Sequence, residues 1–259
     1  MLSTNKIKLI KSLALKKHRI SEGLFIAEGD KLVLEMLDSA FTVVYIAATK
    51  EWFDDEKKHV LAKSAELDIV NQKELGRLSF QKSPQNVLCI TQLPNYKLNI
   101  QDLKQQLTLI LDNVQDPGNL GTILRVADWF GIEQIICSKD TADAFNPKVV
   151  QSTMGAICRV KTYYEELNAL LPQIKSLGLP LYGTTLDGDN IYNTGLSNEG
   201  LIMLGNESKG INAEWIKMLD KKLRIPFYPE EKKRSESLNV AVASAIVCAE
   251  FRRRGNLQQ

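Results

Sequence analysis

The sequence has only two histidines, His18 and His59, both in its N-terminal half. A Ser-His-Asp hydrolase centred in the second half is thereby excluded, and no metal site is expected. Cysteine is sparse too. Cys89, Cys137, Cys158 and Cys248 are scattered through apolar surroundings without a CxxC pair, so they read as buried reduced thiols. No apolar run approaches the roughly 18–20 residues of a membrane span. No apolar stretch follows a basic start, so a signal peptide is not expected and a cytoplasmic location is the default. Neither a GxxxxGK[ST] loop nor a GxGxxG turn after a strand is present, which removes the P-loop and dinucleotide-binding readings. Charge of one sign is nearly balanced by the other, with 33 Lys and Arg against 31 Asp and Glu. The net charge therefore names no partner.

Apolar content, in contrast, is ample. At 44% hydrophobic over 259 residues, the chain can build one large or two modest domains without disulfide or metal support. The cations are unevenly placed. Met1 to Arg19 contains Lys6, Lys8, Lys11, Lys16, Lys17 and Arg19 and no acid, and later runs hold Lys232, Lys233 and Arg234, then Arg252, Arg253 and Arg254. Such clusters suit a phosphate backbone, and they equally suit solvated faces.

No internal repeat or low-complexity tract is evident. The first half reads as mixed α/β, with helices predicted over 30–36 and 57–66 and strands over 42–48 and 86–92. A polar stretch from about Pro94 to Gln106 reads as a linker, giving domains of 1–95 and 105–259. Beyond it, strands at 107–112, 134–138, 158–162, 181–185, 201–204 and 222–225 alternate with helices at 120–130, 147–154, 165–177, 213–219 and 238–252. That alternation predicts a mostly parallel sheet covered on both faces, with ligands outside the carboxyl ends of its strands.

Three polar turns follow apolar strands. The first is DNVQDPGNLG from Asp112 to Gly121, leading into a helix that carries Arg125. Its Pro and Gly residues force a tight loop, and Asn119 is a candidate helix cap. The second, Leu204 to Gly210 (LGNESKG), contains Glu207. The third runs from Ile225 through Tyr228 to Ser237 and Asn239, which are candidate caps for the last helix. That helix (AVASAIVCAEF) is rich in small residues, which suits close packing on another helix, within the chain or from a second subunit.

In this order the segments resemble the SpoU (TrmH-like) branch of the SPOUT methyltransferases. DNVQDPGNLGTILRVADWFG is similar to the family's motif 1, IMLGNESKGI to motif 2, and IPFYPEEKKRSESLNVAVASAIVCAEF to motif 3. The N-terminal LIKSLALKKHRISEGLFIAEGDKLVLEML resembles the RNA substrate-binding domain that precedes the catalytic domain in many rRNA-modifying members. Two departures stand out. The stretch between Ile225 and Ser237 is longer than in the shortest members, and Gln151 lies where many carry Arg.

The resemblance implies an α/β catalytic domain with a C-terminal trefoil knot, behind a smaller N-terminal α/β domain. It implies transfer of a methyl group from S-adenosylmethionine to a ribose 2′-hydroxyl, of 23S rRNA rather than tRNA, by a homodimer. Cofactor contacts fall to backbone at Thr184, Gly205, Ile225 and Leu238. The family's catalytic residue corresponds to Arg125, with Asn119, Glu207, Ser237 and Asn239 shaping the site. RNA phosphates are expected on Lys16, Lys17, Arg19, Lys232, Lys233 and Arg234. The competing readings are a non-catalytic RNA-binding protein on the same fold and a methyltransferase acting on a base nitrogen. The first is separated by cofactor binding, the second by nucleoside analysis. On this domain split, removing about the first 95 residues should leave a folded cofactor-binding dimer with poor RNA affinity.

Overall fold

The computed structural model describes residues 2–63, 65–228 and 237–255. In chain order the elements are α1 (Thr4–Ser12), α2 (Lys16–Glu22), β1 (Leu24–Glu28), α3 (Asp30–Asp38) and β2 (Val43–Ala48). There follow α4 (Lys50–Ala62), β3 (Glu66–Ile69), α5 (Gln72–Leu78), β4 (Val87–Gln92), β5 (Leu107–Leu111) and α6 (Pro117–Trp129). Next come β6 (Gln134–Ser138), α7 (Pro147–Ser152), β7 (Lys161–Glu165), α8 (Leu167–Ser176) and β8 (Leu181–Asn190). The last are β9 (Gly200–Leu204), α9 (Ala213–Ile216), β10 (Lys221–Arg224) and α10 (Val240–Gly255).

Two compact units result. The first is Met1–Asn95 together with Asp143–Arg159, and the second is Tyr96–Ala142 with Val160–Gln259. The first unit is built on a four-stranded mixed sheet in the order β1-β4-β2-β3, in which only β2 and β3 run parallel. Side chains on β1 alternate between two cores, as a pleated strand requires. Phe25 and Ala27 join Val33, Met36 and Leu37 of α3 on one face, while Ile26 joins Ile10, Leu13, Leu75 and Leu78 on the other.

The segment 143–159 lies within the second domain by sequence, yet it packs into the first unit. Val150 and Ile157 are almost fully buried in the core that holds Phe25 and Met36. Asp143 pairs with Arg19 at one end of the segment, and Arg159 pairs with Glu35 at 2.6 Å at the other. The expectation that the chain folds without its first 95 residues therefore does not follow from the packing. Deleting them would expose Val150 and Ile157 and take the partner from Asp143. The truncated chain is expected to aggregate on expression. Size-exclusion chromatography checks this, and a monodisperse, melting remainder would be the contrary result.

The second unit contains six strands in the order β10-β8-β9-β5-β6-β7, all paired in parallel. β5 and β9 are buried at every residue, the signature of central strands covered on both faces. α8 supplies Leu167, Leu170, Leu171 and Ile174 to one core cluster, against Ile110, Ile136 and Met203. α6 and α10 pack on each other. The small residues of α10 thus find a partner helix within the chain, and Ala241, Ser244 and Cys248 are buried. No helix among the described residues is long and apolar enough to cross a membrane.

Candidate active site

The sheet of the second unit reverses its winding between β5 and β9. From β5 the chain moves to β6 and β7 on one side, whereas β9 and β8 lead to β10 on the other. Ligands on open parallel sheets bind at such a switch point, outside the carboxyl ends of the strands. The loops after β5 and β9 both emerge there, and they are tied together. The Asp112 N–H donates to the Leu204 carbonyl at 2.9 Å, extending the ladder by one residue. The Asn206 amide Nδ2 donates to the Asn113 carbonyl at 2.8 Å. Asn113 turns the chain with φ +59, a conformation asparagine tolerates better than most residues. Burial pushes the Asp112 carboxyl above the usual carboxylate range, an effect offset in part by the Asn212 N–H donated to its Oδ2 at 2.8 Å.

Asn119 is not the cap of α6. Asp116 holds that place, its Oδ1 accepting the Asn119 N–H at 2.8 Å, with Pro117 in the first turn where its missing N–H does no harm. Capping by Asp116 leaves the Asn119 side chain for other work. Its Nδ2 donates to Glu207 Oε1 at 3.0 Å, and its Oδ1 accepts from Asn239 Nδ2 at 2.9 Å. Asn239 does cap α10, taking the Ala241 N–H on its Oδ1 at 3.0 Å, and its amide nitrogen remains to reach Asn119. Residues 88 and 120 positions apart thus meet on one carboxamide.

Arg125 stands apart from this triad. It is exposed on α6, and among the described residues no hydrogen bond or ion pair holds it. Six residues beyond Asn119 it lies about 9 Å along the helix and on a different face. Ser237 is likewise exposed. Gly205 and Ile225 fall just beyond β9 and β10, while Thr184 lies inside β8, at the break between Gly183 and the resumption of pairing with β10 at Asp189. Leu238 is half exposed, as are Phe227 and, more so, Leu186.

Gly205 has a reason to be glycine that the sequence does not reveal. The expectation was close approach by a ligand. A Cβ there would lie 2.2 Å from Gly210 C and Ile211 N, so the space is taken by the chain's own backbone. That backbone folds back through paired Asn206 and Gly210 hydrogen bonds of 3.0 and 2.9 Å.

Among the cations, Arg19 requires a correction. It was expected on RNA phosphate, but it is only 1% exposed. Its Nη1 donates to the Leu13 and Ala14 carbonyls at 2.7 and 2.8 Å, and its Nη2 to Asp143 Oδ2 at 2.5 Å. With its Nε also on Asp143, four of its five N–H groups are spent inside the protein, and its burial keeps it from a surface phosphate. Lys16 and Lys17 are exposed on α2, while Lys232, Lys233 and Arg234 lie outside the described residues. Near the end of α10, Arg252 caps α6 by donating to the Phe130 and Gly131 carbonyls, and Arg253 and Arg254 pair with Glu250 at 2.7 Å.

Comparison with known proteins bears on this geometry. Residues 106–249 match the model of the SpoU rRNA Methylase family, and residues 4–89 match the MRM3-like substrate binding domain. The chain is 31% identical to the 23S rRNA (guanosine(2553)-2′-O)-methyltransferase RlmP of Bacillus subtilis, over 95% of this chain and 96% of that one. Among solved structures it resembles a TrmH-family protein from Porphyromonas gingivalis, with TM-score 0.86 and 38% identity over 98% of this chain and 99% of that one. It also resembles the AdoMet-bound rRNA methyltransferase from Sinorhizobium meliloti, with TM-score 0.86 and 28% identity over 98% and 97% of the two chains.

Proposed function

The chain belongs to the SpoU rRNA methylase family, and we propose that it transfers a methyl group from S-adenosylmethionine to a ribose 2′-hydroxyl of 23S rRNA. The observation that carries this reading is the convergence of Asn119, Glu207 and Asn239, one from each motif, at the carboxyl edge of the parallel sheet. The rRNA assignment is supported by the full-length similarity to a 23S rRNA methyltransferase.

The cofactor, when bound, supplies an electrophilic methyl on a sulfonium. Its place would be the strand ends at Gly205 and Ile225 and the break in the β8 ladder at Thr184, with Leu238 contributing. Backbone groups beyond the last ladder pairs have hydrogen-bonding capacity left, and the exposed Leu186, Phe227 and Leu238 provide apolar surface that a ligand would cover. The protein's task is then alignment, holding the hydroxyl oxygen roughly 3–3.5 Å from the carbon it attacks. A guanidinium is a cation with no acceptor, so the role it suits at Arg125 is toward a phosphate or the developing alkoxide rather than as a base. Asn119, Glu207, Ser237 and Asn239 would shape the site and orient the hydroxyl. Lys16 and Lys17, with Lys232, Lys233 and Arg234, would hold RNA phosphates and make affinity salt-dependent.

We further infer a trefoil knot over the last third of the chain and a homodimer, acting in the cytoplasm. The knot reading is supported by the path that returns past β8 to lay β10 on its outer side. The dimer reading is supported by Trp129 of α6, 85% exposed, and Val242 of α10, 49% exposed.

The test is transfer of tritiated methyl from S-adenosylmethionine to transcripts of 23S rRNA fragments and of tRNA. Label on 23S rRNA that blocks alkaline cleavage at the modified nucleotide is the expected result. Label on tRNA alone would overturn the substrate assignment, and label that leaves alkaline cleavage intact would overturn ribose chemistry. Within the triad, Asn119→Asp sets a carboxylate against Glu207 in place of an N–H donor. Turnover should fall roughly 10- to 100-fold, the scale of a lost hydrogen bond to a charged group. Steady-state kinetics alongside a melting curve reads this out.

A further inference from the structure

The first unit holds a cavity of about 410 Å3 to which the catalytic reading gives no role. Its lining includes Ile26 and Glu28 of β1, Phe80 and Gln81 beyond α5, and Lys148 and Gln151 of α7. That volume falls within the roughly 300–1,000 Å3 of small-ligand pockets.

The polar groups in its wall have unequal freedom. Glu28 is 7% exposed, and both its oxygens are engaged, Oε1 by the Phe80 N–H at 2.8 Å and Oε2 by the Ser79 hydroxyl. A carboxylate in the wall repels a phosphate from the interior. The two carboxamides are linked to each other. Gln81 Nε2 donates to Gln151 Oε1 at 3.0 Å and to the Glu28 carbonyl at 3.4 Å. Among the described residues, Gln81 Oε1 and Gln151 Nε2 have no partner. One acceptor and one donor therefore remain on adjoining amides, beside the aromatic ring of Phe80.

Cations lie close to this wall. Lys11 Nζ sits 4.8 Å from the Phe80 ring centroid and gives one hydrogen bond to the Ser79 carbonyl at 2.6 Å, which leaves further donors on the ammonium. Lys148 is exposed. A neutral planar heterocycle with a donor and an acceptor on one edge, carried on a phosphate chain, matches each of these features. An unpaired nucleobase is such a ligand, since single-stranded RNA is read by stacking on aromatic rings and by hydrogen bonds to base edges. We propose that this cavity takes one unpaired nucleobase of the RNA substrate, read by Gln81 Oε1 and Gln151 Nε2 beside the Phe80 ring, with Lys11 and Lys148 on the adjoining phosphates. The proposal rests on the RNA methyltransferase reading.

The test uses the full-length chain and 23S rRNA fragments carrying 4-thiouridine, photo-crosslinked and mapped by mass spectrometry. Crosslinks competed by unlabelled RNA are expected in the peptides containing Phe80–Gln81 or Pro147–Ser152. Gln151→Leu, which keeps the bulk and removes the amide, should raise KM for RNA about tenfold, with kcat and cofactor affinity unchanged. Crosslinks confined to other peptides, or a Gln151→Leu KM equal to that of the parent, would overturn it. A chain that methylates no RNA sinks the function reading instead. Crosslinking and direct RNA binding then still decide the cavity, a competed crosslink there supporting it and none refuting it.

Discussion

Replacing Arg125 by alanine is expected to reduce methyl transfer by roughly 10²–10³-fold or more, the scale of losing one preorganised charge-stabilising donor in an active site. The fold should not suffer. Arg125 is exposed and tied to no described neighbour, so its truncation should change stability by only about 0.5 kcal/mol or less. Cofactor affinity should stay close to that of the parent, since Thr184, Gly205 and Ile225 are untouched. Kinetics distinguish the two ways a cation could act. A grip on one RNA phosphate predicts a raised KM and a salt dependence of binding shallower by about one. Stabilisation of the alkoxide predicts a lower kcat at saturating RNA. Single-turnover transfer with labelled cofactor, calorimetry of cofactor binding and a melting curve together make the measurement. Retained turnover would remove Arg125 from the reaction.

Arg125 also shows how far the sequence leads and where it stops. A helix following a Pro-Gly turn could be read from the spacing of 112–130, and so could the alternation that builds a parallel sheet. The strands of the second unit were visible because central parallel strands are apolar throughout, as in LTLIL and GLIML. The first unit was less legible. α1, α2, α5 and β1 are short, and α4 starts at Lys50, seven residues before its predicted start, in a run of charged residues with weak apolar periodicity. One signal was there to be found. Asn71 and Glu74 form a capping box at the head of α5, a pattern recognisable from Asn-x-x-Glu alone.

The site was legible as three turns but not as a contact. Local spacing suggested that Asn119 capped its helix, and only the structure shows Asp116 in that role, with the Asn119 amide turned to Glu207 and Asn239. Side chains 88 and 120 residues distant carry no mark of one another in a single sequence. Cation clusters misled for a related reason. Six positive residues in the first nineteen suggest a phosphate surface, but charge counted along a chain does not say which members face inward, and Arg19 does.

That inward arginine sets the largest stability effect expected. Asp143→Ala should destabilise the protein by about 3–5 kcal/mol, because it leaves a buried guanidinium without its counter-charge. Arg19 has 2% of its side chain exposed, and two of its nitrogens donate to the one oxygen of Asp143, at 3.2 and 2.5 Å. The Leu13 and Ala14 carbonyls satisfy the remaining Nη but carry no charge to offset it. Asp143 also accepts the Phe145 N–H on its other oxygen at 3.0 Å, so the turn that leads the chain toward α7 loosens at the same time. An effect of this size is a large share of the 5–15 kcal/mol that separates folded from unfolded chains. Removing the charge as well should recover much of the loss, since buried ion pairs are often replaced by apolar residues at little cost. Arg19→Met combined with Asp143→Ala is therefore expected to be more stable than Asp143→Ala alone. Urea unfolding of the parent, the single and the double variant measures the difference. A single variant within about 1 kcal/mol of the parent would mean that Arg19 escapes to solvent when unpaired, and its availability to RNA would then have to be considered afresh.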